Sequence, residues 1–273
     1  MTLHDGDRTI LDLTYADYDG LKLGMDLYLP PPQNTPFPTI MYIPVGGWRA
    51  SKRVDLRHQF AAHDFTQHGF ALAVIDCRVT PDVIAPATVF DCKAGIRWLR
   101  AHAAEYGLDA DKIGTCGRSA GGHLSALLAV SGDRPELEGD GGNAGFSTIV
   151  QAAVDQCGPS DLERMADPDL AAKHPMLQQV TDNFLGGATA EHRDLARLVS
   201  PLRHVSADCP PMLILHGEID PTVPLEESLI FHEALTAVGV DSTLNVLPGI
   251  EHGWDWDLTH DRIVEFFERT VKA

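Results

Sequence analysis

The sequence predicts an α/β fold: a mostly parallel, doubly wound sheet with an antiparallel N-terminal hairpin and a small cap insertion. Three observations predict it. Leu21, Leu23, Met25, Leu27 and Leu29 are apolar at alternate positions, the period of a strand with one buried face. Further along, short apolar runs recur at 39–43, 70–75, 112–116, 149–154 and 212–215, and uniformly apolar runs suit strands covered on both faces. Helical patterns separate those runs, and alternating strand and helix with right-handed crossovers yields a doubly wound sheet.

Taken in order, the chain first forms a hairpin. Asp19-Gly20 is a tight-turn signal, so the run at 21–29 should pair with a strand at 11–17. The proline-rich breaker PPPQNTPFP then separates this hairpin from the parallel strands. A helix is expected over 89–104, with Ile96 and Leu99 on its apolar side, and another over 120–130, rich in Leu and Ala. Two more are expected at 225–238 and 262–271, flanking a strand within STLNVL. Two segments interrupt the alternation: 132–148 is rich in Gly and Asp, and 156–210 holds several short helical pieces. Both are expected to be cap-like excursions above the sheet of a single domain spanning 1–273.

Composition narrows the class of function. With 273 residues, 44% hydrophobic and 22% charged, the chain is neither disordered, nor collagen-like, nor a disulfide-stapled miniprotein. The net charge of −18 repels phosphate backbones and anionic headgroups, so neither a nucleic acid nor a membrane is expected as partner. Uncharged or cationic substrates are compatible with it. The five cysteines are scattered and lack CxxC spacing, which argues against a disulfide framework and against a zinc knuckle. The start MTLHDGDRTI lacks the basic and apolar regions of a secretion signal, and no stretch has the roughly 18–20 apolar residues of a membrane span. The expectation is a cytoplasmic protein with reduced thiols; its oligomeric state is not written in the sequence.

The strongest chemical signal is Gly117-Arg118-Ser119-Ala120-Gly121, a G-x-S-x-G pattern. The strand KIGTC enters it and the helix GGHLSALLAV leaves it. In that context the serine occupies a strained turn, its hydroxyl lifted above the sheet edge, while the glycines let neighbouring chain approach. The N–H of Ala120 and the dipole of the following helix then favour a developing oxyanion. Cys116 is a rival nucleophile by residue type, but its place inside the strand makes it core.

A serine hydroxyl needs a base, and the base needs an acid to orient it. These partners should follow the serine in the order acid, then histidine, on loops after late strands. PPMLILHGEIDPTVP is a buried strand followed by a loop carrying Asp220, and STLNVLPGIEHGWDW is a strand followed by a loop carrying His252. Glu218, Glu251 and His216 compete for the same roles; the carboxylates are better read as solvated and the histidine as a satisfied, hydrogen-bonded group. His252 and His260 invite a metal reading, but nothing like HExxH supports them, so no metal is expected.

With these residues in place, the chain resembles the α/β-hydrolase superfamily, most closely the carboxylesterases that include BD-FAE-type and hormone-sensitive-lipase-like esterases. The resemblance is carried by GMDLYLP, PVGGWRASKR, APATVFDCKAGIRWLRAHAAEYGLDADKIGTCGRSAGGHLSALLA, SPLRHVSADCPPMLILHGEIDPTVP and PGIEHGW, nearly the whole chain. It implies an α/β-hydrolase fold and a serine esterase acting on a small-molecule ester of small or medium acyl chain, with catalytic Ser119, Asp220 and His252 and no cofactor. One departure stands out. The family's HGGGW is replaced by Pro44-Val45-Gly46-Gly47-Trp48. Gly46 and Gly47 still offer N–H groups to an oxyanion beside Ala120, whereas proline cannot donate and valine restricts the loop. Trp48 is a candidate for binding substrate, or else packs under the loop. The turn Cys77-Arg78-Val79-Thr80-Pro81 resembles the DYRLAPE-like turn that supports this loop. Met165, Met176, Leu177, Phe184 and Leu185 are either an acyl-side cap or core. Alternatives in the same fold are an amide or formamide hydrolase resembling kynurenine formamidase, and a non-catalytic binding protein. A prolyl-oligopeptidase-like peptidase would need an accessory domain for which this chain has no room.

Overall fold

The computed structural model describes residues 8–32, 35–51, 53–57 and 62–272. Residues 1–7 of the start MTLHDGDRTI lie outside it, as do 33–34 of the proline-rich breaker and Lys52 of PVGGWRASKR.

The alternating leucines form a strand, but not one with a single buried face: Leu21 is exposed, while Asp26 and Tyr28 on the opposite face are buried. β1 (Arg8–Tyr18) and β2 (Leu21–Leu29) pair antiparallel around the Asp19-Gly20 turn, where Gly20 has φ +96° and Asp19 φ 52°. β3 (Phe37–Ile43) leads into a small hairpin of β4 (Val45–Gly46) and β5 (Ala50–Ser51). β6 (Ala71–Ile75), β7 (Leu108–Arg118), β8 (Ala152–Gln156), β9 (Met212–Gly217) and β10 (Ser242–Leu247) complete an eight-stranded sheet in the order β1-β2-β6-β3-β7-β8-β9-β10. β6 through β10 run parallel to β3, and β2 joins β6 antiparallel.

The pleat divides these strands between two cores. Met25, Met41, Ala73, Ile75, Met212 and Ile214 face the helices Ala87–Ala101, Ala120–Val130 and Glu226–Ala237, while Tyr28, Ile40, Leu72, Val74, Leu213 and Leu215 face Ala62–Thr66 and His260–Phe267. Burial on both faces is why the parallel strands read as continuous apolar runs. With five of the strands parallel to β3, the loops after β3, β7, β8, β9 and β10 open at one edge, where open α/β sheets carry their sites.

Several boundaries differ from the sequence expectation, for local reasons. The strand expected at 149–154 begins at Ala152. Ile149 is drawn outward, its carbonyl accepting from Arg100 at 2.5 Å, and the Gln151 side chain takes the Ile113 N–H at 2.8 Å. The helix expected over 89–104 spans Ala87–Ala101 and restarts as Ala103–Tyr106, broken at His102, whose ring stacks on Trp98 at 4.2 Å. The strand expected at 112–116 runs the full Leu108–Arg118, and the last helix changes to a π-helical turn over Glu268–Lys272.

The segment 132–148 lies against helix Ala87–Ala101. Buried Lys93 donates to the Ser131 carbonyl, to Glu138 at 2.6 Å and to Thr148 at 3.2 Å, and Arg97 reaches the Glu138 and Gly142 carbonyls. The segment 156–210 carries three helices, Pro168–Lys173, Pro175–Leu185 and Arg193–Leu198, among shorter turns. It is fastened to helix Glu226–Ala237 through Glu227. That carboxylate is 1% exposed and accepts from Ser160 N (2.9 Å), Asp161 N (2.9 Å) and Arg164 (2.5 Å).

Candidate active site

Ser119 sits between the end of β7 and the start of helix Ala120–Val130, at φ 56° and ψ −122°. A non-glycine residue is strained there, and the neighbourhood over-determines it. Its N–H donates to the Gln156 carbonyl (2.7 Å) and its carbonyl accepts from His123 N (2.9 Å). The flanking glycines leave no room for side chains. A Cβ on Gly117 would collide with the Gly121 carbonyl, one on Gly121 with the Ile43 carbonyl, and one on Gly122 with Asp155. The close approach anticipated for the turn is thus a contact between β7, the helix start and the end of β3.

The two late loops converge on the serine. His252 Nε2 lies 2.9 Å from Ser119 Oγ, and His252 Nδ1 lies 2.6 Å from Asp220 Oδ2. The Asp220 carboxylate is fully buried, and its other oxygen accepts the N–H groups of Thr222 (2.8 Å) and Val223 (3.0 Å). Burial pushes its carboxyl upward, but His216, His252 and the Val223 N–H outweigh that and hold it well below the usual carboxylate range. An aspartate kept ionised and aimed at Nδ1 fixes the histidine with Nε2 free to accept a proton from the serine.

The competing residues occupy other roles. His216 is buried, bonded to Ser228 Oγ at 2.7 Å and to the Val223 carbonyl at 3.0 Å. It also stands 3.4 Å from Asp220 Oδ2, a supporting position that no motif signalled. Glu218 is exposed and accepts from Gly249 N, and Glu251 is exposed. Cys116 is buried within β7, its thiol pushed up by burial to about 12, far from a reactive thiolate. Among the described residues, one group of metal-ligand types falls within 4.8 Å: Cys157, Asp220 and His252. Two of these are already bonded to each other, and burial pushes the Cys157 thiol well up, away from the thiolate a metal would need.

The loop 44–51 folds over the other side of Ser119 as the β4–β5 hairpin, with Gly47 at φ 53° and Trp48 at φ 51°. Gly46, Gly47 and Ala120 line the same cavity, of about 370 Å³, as Ser119 and His252. The Cys77–Pro81 turn braces the loop, Thr80 donating to the Trp48 carbonyl from its N–H (2.9 Å) and its hydroxyl (3.3 Å). Trp48 borders the cavity, but only 1% of it is exposed. Its ring stacks on Phe184 at 4.7 Å, and its indole N–H donates to His123 Nδ1 at 3.2 Å. Packing dominates its environment.

The remaining cavity wall comes from Pro159, Met176, Leu177 and Val180 of segment 156–210, from Thr222 and Val223, and from Arg49 and Ala50 of the loop. None of segment 132–148 reaches it. Of the apolar residues considered for a cap, Met176 and Leu177 line the cavity, whereas Met165, Phe184 and Leu185 are core. Val180 and Pro159 carry no sequence signal, since only packing brings them to the serine.

A sheet of this order, with a serine turn after β7 and its acid and histidine on the loops after β9 and β10, defines the α/β-hydrolase fold. Within that class, residues 25–235 match the BD-FAE family, and the chain belongs to it. It is 31% identical over 92% of its length to the probable carboxylic ester hydrolase LipM of Mycobacterium tuberculosis, covering 56% of that protein, and 31% identical over 81% of its length to esterase LipC of the same organism, covering 54%. The chain therefore spans about half the length of these curated relatives. Among solved structures, a truncated carbohydrate esterase from gut microbiota superposes with a TM-score of 0.86 at 28% identity, 99% of each chain being covered. Thermogutta terrifontis esterase Est2 superposes with a TM-score of 0.79 at 28% identity, covering 97% of this chain and 92% of that one. The same esterase is known phosphorylated by paraoxon. Among the described residues no helix is long and apolar enough to cross a membrane.

Proposed function

We propose that this chain is a serine carboxylesterase, hydrolysing small or medium acyl esters through an acyl-enzyme on Ser119. The observation that carries the proposal is the hydrogen-bonded line Ser119 Oγ–His252–Asp220, at 2.9 and 2.6 Å. His252 Nε2 takes the serine proton as Oγ attacks the ester carbonyl. The oxyanion of the tetrahedral intermediate accepts from the N–H groups of Ala120, Gly46 and Gly47, which border the same cavity. His252 returns the proton to the departing alkoxide, and the alcohol leaves. Water, deprotonated by the same nitrogen, then attacks the acyl-enzyme, and collapse of the second intermediate frees the acid and Ser119. Asp220 stays ionised throughout and balances the charge on the histidine. The apolar wall of Leu177, Val180 and Met176 suits an acyl chain, while Trp48 shapes the wall from behind rather than gripping substrate. The family and the esterases among its relatives support the same chemistry.

The test is hydrolysis of para-nitrophenyl esters from acetyl to decanoyl by the wild type and by Ser119→Ala. Activity on the shorter esters that falls by about three orders of magnitude or more in a folded Ser119→Ala supports the reading. Wild-type protein inactive on every ester, or a variant as active as wild type, overturns it.

A further inference from the structure

Arg49 is the odd charge of this site. The chain carries a net charge of −18, yet among the described residues no carboxylate lines the cavity around Ser119, and the one side chain of fixed charge there is the Arg49 guanidinium. Among the described residues that guanidinium has no hydrogen-bond or ion-pair partner and lies over no aromatic ring, whereas the arginines Arg53, Arg57 and Arg78 nearby in the chain are all paired. An arginine held at the edge of a site without a carboxylate keeps its fork of donors available to a ligand.

Its position is fixed by the loop. The Arg49 N–H donates to the Gly46 carbonyl at 3.0 Å, closing the β4–β5 hairpin. Its side chain folds back on Gly47, where a Cβ would meet Arg49 Nε at 3.6 Å and Cγ at 3.7 Å. The arginine therefore begins beside the glycine N–H groups assigned to the oxyanion. Beyond it lies a second groove of about 620 Å³, shared through Arg49 and bounded by Thr80, Ile84, Asn183 and Gly187. The carboxylate of that groove, Asp182, commits Oδ1 to Gln178 (2.7 Å) and to the Thr189 N–H and hydroxyl (both 2.7 Å).

We propose that Arg49 is a specificity-determining residue that recognises a carboxylate carried by the ester substrate away from the scissile bond, so that the preferred substrates are anionic esters. This rests on the serine-esterase reading. The overall negative charge disfavours such substrates at long range, and Arg49 reverses the preference locally, where a charge-assisted pair outweighs a screened field. The carboxylate belongs to the acyl part or to the alcohol part, and paired isosteric substrates distinguish the two.

The experiment compares kcat/KM for para-carboxyphenyl butyrate against para-carbamoylphenyl butyrate, and for monomethyl glutarate against the corresponding glutaramate methyl ester. Wild type, Arg49→Gln and Arg49→Lys are measured alongside their thermal unfolding. Wild type should favour the carboxylate member of at least one pair, which assigns the side. In that pair the carboxylate-to-amide ratio should fall by about tenfold or more in Arg49→Gln, mainly through KM, and recover in part in Arg49→Lys. A ratio unchanged in Arg49→Gln, or a wild type that favours the amide in both pairs, overturns the assignment. Because the amide esters report esterase activity by themselves, loss of the proposed chemistry is told apart from loss of the preference.

Discussion

His252 Nε2 and Ser119 Oγ, 133 residues apart in the chain, stand 2.9 Å from each other. Asp220 holds the imidazole from its other nitrogen at 2.6 Å, so the three side chains form one hydrogen-bonded line. Groups that act as a unit are not additive when removed. Asp220→Asn should lower kcat by about four orders of magnitude, because an amide bonds the wrong tautomer. Adding Ser119→Ala to it should lower the rate little below that of Ser119→Ala alone, a comparison that steady-state kinetics on one para-nitrophenyl ester makes directly.

Gly121 is where β3 and the serine helix touch. Gly121→Ala places a methyl against the Ile43 carbonyl, and Ile43 leads directly into the Gly46–Gly47 loop. Overpacking of this kind costs roughly 1–3 kcal/mol, and the displaced loop should reduce kcat further than the stability loss explains. Gly145→Ala, where an added Cβ meets nothing within 4 Å, should leave both the unfolding midpoint and kcat in place.

Two buried groups should give stability opposite dependences on pH. His123 accepts from Trp48 at Nδ1 and donates from Nε2 to the Val199 carbonyl (2.7 Å), and burial lowers it to about 4. The unfolded chain protonates this histidine first, so its contribution is complete above about pH 6.5 and is lost as pH falls towards 4. Asp155 is pushed up to about 7 by burial, offset in part by the Gly158 N–H. The folded chain keeps that proton, so its contribution is complete below about pH 3.9 and is lost as pH rises through 7. Between pH 4 and 6.5 the two slopes oppose, each up to about 1.4 kcal/mol per pH unit. Urea unfolding across that range should show a more positive slope than wild type in Asp155→Asn and a more negative one in His123→Gln. Identical slopes in all three proteins would contradict the assignment.

Glu227 should be the fastening of segment 156–210. Removing it leaves Arg164 without its carboxylate and strands the N–H groups of Ser160 and Asp161. Glu227→Ala should therefore cost roughly 3–5 kcal/mol, with Glu227→Gln closer to wild type. Limited proteolysis should cut first within 156–210 in the alanine variant; cleavage elsewhere would place the weak point outside this contact.

What the sequence by itself determined is what chain neighbours encode. Alternating leucines specify β2, apolar runs specify strands buried on both faces, and glycines about Ser119 specify a tight strand-to-helix turn, since periodicity and turn chemistry act over a few residues. The order serine, acid, histidine, each after its strand, was legible for the same reason: parallel strands deliver their following loops to one edge. Only the tertiary structure decided what surrounds them. Trp48 is locked between Phe184 and His123, and Val180 lines the cavity against Gly47, contacts made by segments far apart in the chain. Arg49 is visible in the sequence as the residue after GGW, but whether an arginine is paired or open depends on which carboxylates packing brings within reach. That is a property of the folded surface and of no local pattern.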